Sequence, residues 1–158
     1  MSVLDLMVRE IRNTGYFPTT ACNSTGGIAS ATATSFSFVY DRNNNGACSG
    51  DDEVVVFAYD GTNVTRNGLA LTDGNATAFQ FTYYPQQTGG TAPPPMCVST
   101  NNPTGCNLDL TQSANWTSIQ RVAISVSVQS RSPDVQFGGQ STITMSSGAE
   151  LRNHGVPS

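Results

Sequence analysis

The chain has 158 residues, of which only 11% are charged against roughly 25% in ordinary soluble proteins, and it contains no lysine. A formal net charge of -4 leaves no basic footprint for nucleic acid or anionic lipid. The length suits one domain, 1–158, with a core of its own, and four cysteines without CxxC or His-rich spacing fit two disulfides in an oxidising compartment better than a metal cluster.

Leu4, Met7, Val8 and Ile11 recur at i, i+3, i+4 and i+7, which predicts an amphipathic helix over 2–15. Asp5, Arg9 and Arg12 fall on the opposite face, and Asp5 precedes Arg9 by the four residues that favour a helical ion pair. Ser2 caps the start; Gly15 and then Pro18 stop the helix. Isolated helices need roughly 12–15 residues to persist, so this one must pack on something. The Leu4-Met7-Val8-Ile11 face is expected to be shared between the chain's own sheet and neighbouring helices, as an assembly face. The helix is read as the lower part of a longer one whose apolar half lies upstream. Arg9 and Glu10 flank the face and are expected to be replaceable without unfolding.

A loop rich in Thr, Ser, Gly and Ala follows over 19–33 and carries Cys22. In 34–41, Phe36, Phe38 and Tyr40 alternate with Ser35, Ser37 and Val39, the pattern of a half-buried strand. The β-branched and aromatic run 54–59 is a second strand. Asp60-Gly61 turns it into Asn63-Val64-Thr65-Arg66, with Asn67-Gly68 closing a hairpin over 53–66. Residues 79–84 alternate again. The stretch 86–111 has no periodicity and holds Cys97 and Cys106; loops of this length are functional or mobile. Val122, Ile124, Val126 and Val128 mark the clearest strand, and 140–145 and 149–153 read as two short closing strands. The class expected is therefore α+β and mostly β: one N-terminal helix packed on an antiparallel sheet, with the β-rich part over 34–153.

Candidate chemistry is sparse. Asp41, Asn43, Asn45, Gly46 and Asp52 follow the spacing of a calcium loop, with the Ala47 carbonyl as a further ligand and Asp51 or Glu53 as substitutes at its end. The same residues also make an ordinary Asn- and Gly-rich turn, since Asn and Gly tolerate left-handed backbone. No other cofactor is implied. His154 is the single histidine, near the C-terminus, and no nucleophile–base set or phosphate loop accompanies it, so an enzyme is not expected. Asn23, Asn63, Asn75 and Asn115 stand in N-x-Ser/Thr sequons that a chain rich in Asn and Thr produces by chance. Trp116 suits either a sugar-stacking surface or, more commonly, a core. Of the three connectivities open to four cysteines, Cys22–Cys48 and Cys97–Cys106 are expected, the second bridge stapling one loop.

Several words of this sequence, in order, resemble a known family. Arg9-Glu10-Ile11-Arg12-Asn13-Thr14-Gly15-Tyr16 resembles the "EIRxAGY" helix ending of PilW-like minor pilins and of the J-type minor pseudopilins of type II secretion. Tyr40-Asp41-Arg42-Asn43-Asn44-Asn45-Gly46, then Asp52-Glu53-Val54-Val55-Val56 and Tyr59-Asp60, resembles their "YDxNxDG…ExVxYxYD" hairpin, and Thr65-Arg66 the following "LxR". Phe79 to Tyr84 is similar to "LxFxYY", Arg121 to Ser130 to "RVRIxLxxxS", and Glu150-Leu151-Arg152-Asn153 to "VRLRN". The 97–106 insertion is outside that pattern. The resemblance implies a prepilin that is cleaved and N-methylated, held in the bacterial inner membrane on its periplasmic face by the apolar half of the helix, then moved into an extracellular pilus. Its partners would be other minor pilins and the major pilin, and its role would be priming or capping assembly at the filament tip. A secretion pseudopilin, or a surface adhesion or ligand-binding module using the 86–111 loop, are the alternatives.

Overall fold

The computed structural model describes residues 3–14, 27–41, 53–85, 90, 94–97, 107–129 and 141–151. Helix α1 spans Val3–Ile11. Strands β1 (Ile28–Ala31), β2 (Ser35–Val39), β3 (Val54–Tyr59), β4 (Val64–Arg66) and β5 (Leu69–Ala70) form one antiparallel meander in chain order. Next come β6 (Ala76–Pro85) and two short strands, β7 (Met96–Cys97) and β8 (Asn107–Asp109), that pair in parallel with each other. A 3-10 turn, Ser113–Ser118, leads into β9 (Ile119–Gln129) and then β10 (Thr142–Glu150). The second antiparallel sheet has the order β10-β9-β6.

The class expected from the sequence, antiparallel strands with one short N-terminal amphipathic helix, is what the chain forms. The strands, however, divide between two sheets rather than sharing one. The reason lies in the aromatic residues. Phe36 on β2 meets both Phe81 and Tyr83 of β6, with ring centroids 6.0 and 5.7 Å apart, and Tyr59 on β3 meets Phe79 at 6.0 Å. Both sheets thus turn their large rings inward against each other, the efficient way to hide 150–250 Å² or so per aromatic side chain. Polar links join the layers at their edges. The Phe81 amide donates to the Ala33 carbonyl at 2.7 Å, the Tyr83 hydroxyl to Thr32 O at 2.7 Å, and the Tyr59 hydroxyl to Ala76 O at 2.9 Å. Burial beside that aromatic cluster pushes the Tyr83 phenol well above its ordinary pKa, the hydrogen bond to Thr32 opposing only in part.

Local chemistry fixes the turns. At the β3–β4 connection the Asp60 carboxylate accepts from the backbone of Thr62 (2.9 Å) and Asn63 (2.7 Å), which also holds its pKa below the usual value. Asn67 (φ 50°) and Gly68 (φ 85°) both occupy the left-handed region, as a two-residue hairpin turn requires, and lead into β5. The Asn67 side chain then extends the ladder of β3: its Oδ1 accepts from Val56 N (2.7 Å) and its Nδ2 donates to Val54 O (3.0 Å).

Three readings of the strands change. Phe36 and Phe38 are buried as expected, but Ser37 and Val39 on the other face are buried too, so β2 is covered on both sides. Its serines made that second face look wet. β1 falls inside the stretch read as loop, because Ile-Ala-Ser-Ala has weak strand propensity and is held by pairing with β2. The two short closing strands are one: β10 keeps unbroken register with β9 from Thr142 opposite Gln129 to Glu150 opposite Arg121, so Ser146-Ser147-Gly148 is no interruption.

Candidate functional site

The helix seats three of its four apolar positions in the core. Leu4, Met7 and Ile11 are buried, worth about 1.5–3 kcal/mol each, and Val8 is partly buried against the same cluster. Most of the face expected to be shared with neighbouring helices is therefore occupied by the chain's own core, and the residues left outward on α1 are Asp5 and Arg9, followed by Arg12. The helix ends where Thr14 turns back: its amide and its buried hydroxyl both donate to the Ile11 carbonyl, at 3.0 and 2.6 Å. The Ser2 cap and the Gly15 stop lie outside the described residues.

An ion pair ties α1 to the first sheet, from Glu10 to Arg66. Arg66 Nε reaches Glu10 Oε2 at 2.8 Å and Arg66 Nη2 reaches Oε1 at 2.9 Å, with the side chains 21% and 14% exposed. Two parallel bonds between a planar fork and a carboxylate, largely screened from water, set the position and the rotation of the helix together. Arg66 shares its row with Phe57, Phe36 and Ala31, so it stands on the core side of the first sheet. Glu10 is thus a clamp, so replacing it, even where the chain stays folded as expected, removes a contact that orients the helix. Arg9 is exposed, and its backbone carbonyl accepts from the Asn13 side chain.

Beyond the helix end lies a cleft of about 410 Å³ lined by Arg12, Arg121, Gly148 and Glu150. Across the second sheet Tyr84, Arg121 and Glu150 stand in one register row, and the Arg121 guanidinium lies 4.2 Å above the centre of the Tyr84 ring. Gly148 offers no side chain, which leaves the floor open.

The other candidate residues are placed as follows. Asp41 is fully buried directly after β2, while Asn43, Asn45, Ala47 and Asp52, the remaining members of the calcium pattern, lie outside the described residues. Glu53, the proposed substitute, is buried, and its carbonyl accepts from the Tyr40 amide at 3.1 Å. Cys97 is in a disulfide; Cys22, Cys48 and Cys106, and so both expected pairings, lie outside the described residues, as does His154. Trp116 packs against the core, with its indole N–H donating to Leu110 O at 2.9 Å. Two sequon asparagines are structural. Asn63 Oδ1 accepts from Thr72 Oγ1 and Gly74 N at 2.8 and 2.6 Å, and Asn75 Nδ2 donates to Gln129 O at 2.9 Å.

Glu10–Arg66 was beyond sequence reasoning because 56 residues separate the partners. A usable hint existed: a lone carboxylate flanking an apolar helix face needs a cation, and Arg66 ends a short strand. No helix among the described residues is long and apolar enough to cross a membrane. Comparison of the chain with protein-family models, with curated proteins and with solved structures finds no match.

Proposed function

We propose that this chain is a non-enzymatic subunit of a type IV pilus-like filament, a PilW-like minor pilin that primes or caps assembly at the tip. The observation that carries the reading is the clamp between Glu10 and Arg66. These residues belong to two separate words of the resemblance, the helix ending Arg9-Glu10-Ile11-Arg12 and Thr65-Arg66, and they meet in space as a bidentate pair. A second convergence supports it: Tyr84, Arg121 and Glu150, from three further words, fall in one row across β6, β9 and β10, beside Arg12. A fold that fixes the rotation of its N-terminal helix on a sheet is what a filament subunit needs, because the helix of each copy sets the orientation of its head. In this reading, an upstream apolar helix anchors the precursor in the inner membrane, and the partners are other minor pilins and the major pilin.

The test is a deletion strain complemented with the full-length gene, with surface filaments counted and secretion of exoproteins assayed in parallel. Loss of filaments with normal secretion supports the minor pilin. Loss of secretion with normal filaments favours the pseudopilin of type II secretion. If both are normal and only attachment to a surface fails, the adhesive module replaces this reading.

A further inference from the structure

Two antiparallel sheets have four edges, and among the described residues three are closed. β1 is four residues long with a register shift between Ile28 and Ser30, and β5 has two residues. β6 is bulged near both ends, finishes at Pro85, and gives its mid-strand Phe81 amide to Ala33 O. These are the usual ways of blunting a sheet edge. β10 has α1 packed against it, with Arg12 beside Gly148 and Glu150 at its far end, but its first half, Thr142–Ser146, uses none of them. It runs nine residues in unbroken register, eight of them exposed, and Ser141 to Ala149 contains no charge and no proline. Its alternation is also incomplete at the rim. Ile143 and Met145 lie in the same rows as Val128 and Val126, on the core side of the sheet, yet they are 59% and 39% exposed.

We propose that the Thr142–Ser146 half of the β10 edge pairs with the same segment of a second copy of this chain, antiparallel across a two-fold axis, to make one continuous six-stranded sheet. Self-pairing is favoured over a foreign strand by the pattern of the segment. In a register centred on Thr144, Ile143 lies opposite Met145 of the second copy and Met145 opposite its Ile143, so the exposed apolar side chains cover one another. On the other face Thr144 meets its own counterpart and Thr142 meets Ser146, hydroxyl against hydroxyl. The face already carries one such link, Ser127 Oγ to Thr144 Oγ1 at 2.8 Å. Because side chains alternate with period two, any register slipped by one residue would set Ile143 against a polar face. No charge lies within the paired segment to oppose the like-charged copy, despite a net charge of -4 per chain. This pairing is independent of the filament reading.

Sedimentation equilibrium of the purified chain, from micromolar to millimolar concentration, measures the association. The wild type is expected to show a monomer–dimer equilibrium, and Ile143→Lys to weaken it by about tenfold or more, since an edge lysine is a natural block to strand addition. Circular dichroism and melting of Ile143→Lys should be unchanged, as that side chain is already exposed. Under mild oxidation Thr144→Cys is expected to cross-link to itself across the axis, whereas Met145→Cys, which faces Ile143, is not. A monomer at every concentration, a dimer indifferent to Ile143→Lys, or cross-linking through Met145→Cys rather than Thr144→Cys would overturn the proposal.

Discussion

Glu10 and Arg66, 56 residues apart in the chain, are joined by two parallel hydrogen bonds of 2.8 and 2.9 Å that pin the N-terminal helix to the end of β4. Removing either partner strands a poorly hydrated charge. Glu10→Ala and Arg66→Ala are each expected to lower stability by about 2–4 kcal/mol, and Arg66→Lys to restore part of it, because a lysine keeps the charge but loses the fork. Urea denaturation of the single and double variants forms a cycle whose coupling energy should be about 1–3 kcal/mol. Additive effects would mean that the pair contributes geometry without energy.

The turn at Asn67 separates backbone from side-chain chemistry. Asn67→Gly tolerates φ 50° but loses the bonds to Val56 N and Val54 O; Asn67→Ala loses the bonds and strains the backbone. The alanine variant should therefore cost about 1–3 kcal/mol and exceed the glycine variant by about 1 kcal/mol. Equal losses measured by chemical denaturation would place the whole effect in the side-chain amide.

Tyr83 gives the fold an alkaline limit. Burial raises its folded pKa well above the ordinary tyrosine value, so above about pH 10 the unfolded chain releases a proton that the native state retains. The native state then binds more protons than the unfolded state, and stability falls as pH rises. The contribution is fully present below about pH 10, the unfolded tyrosine value, and is lost towards the folded pKa. Tyr83→Phe should remove this part of the alkaline loss while lowering stability at neutral pH by about 1–2 kcal/mol, from the bond to Thr32. An alkaline unfolding curve unchanged in Tyr83→Phe would contradict the assignment.

The sequence showed what it could encode locally. Period-two runs at Phe36–Tyr40 and Val122–Val128 and the Asp60-Gly61 turn were legible because each depends on neighbours in the chain. The division into two sheets was not, because it depends on Phe36 meeting Phe81 and Tyr83, side chains more than forty residues away. Gly148 and the serines before it looked like a break until β9 supplied a template. For the same reason the helix was visible and its clamp was not: the apolar stripe is local, the partner of Glu10 is not.

Of the calcium pattern, Asp41 and the substitute Glu53 are among the described residues, and both are buried. Asp41→Ala is expected to cost about 1–3 kcal/mol by leaving its partners unmet. If Asn43, Asn45, Asp52 and the Ala47 carbonyl join it on calcium, a chelator lowers the melting temperature of the wild type and leaves that of Asp41→Ala unchanged. Identical melting of the wild type with and without millimolar calcium assigns the stretch to an ordinary turn.

The proposed role as a filament subunit is tested most directly by quantitative mass spectrometry of filaments sheared from cells that produce the full-length protein. In that role the chain is expected to be present, far below the major subunit in amount, and to be depleted when the exposed Arg9 is replaced by Ala although the variant head folds normally. Its absence from sheared filaments, with the protein still abundant in the cell envelope, would contradict that role.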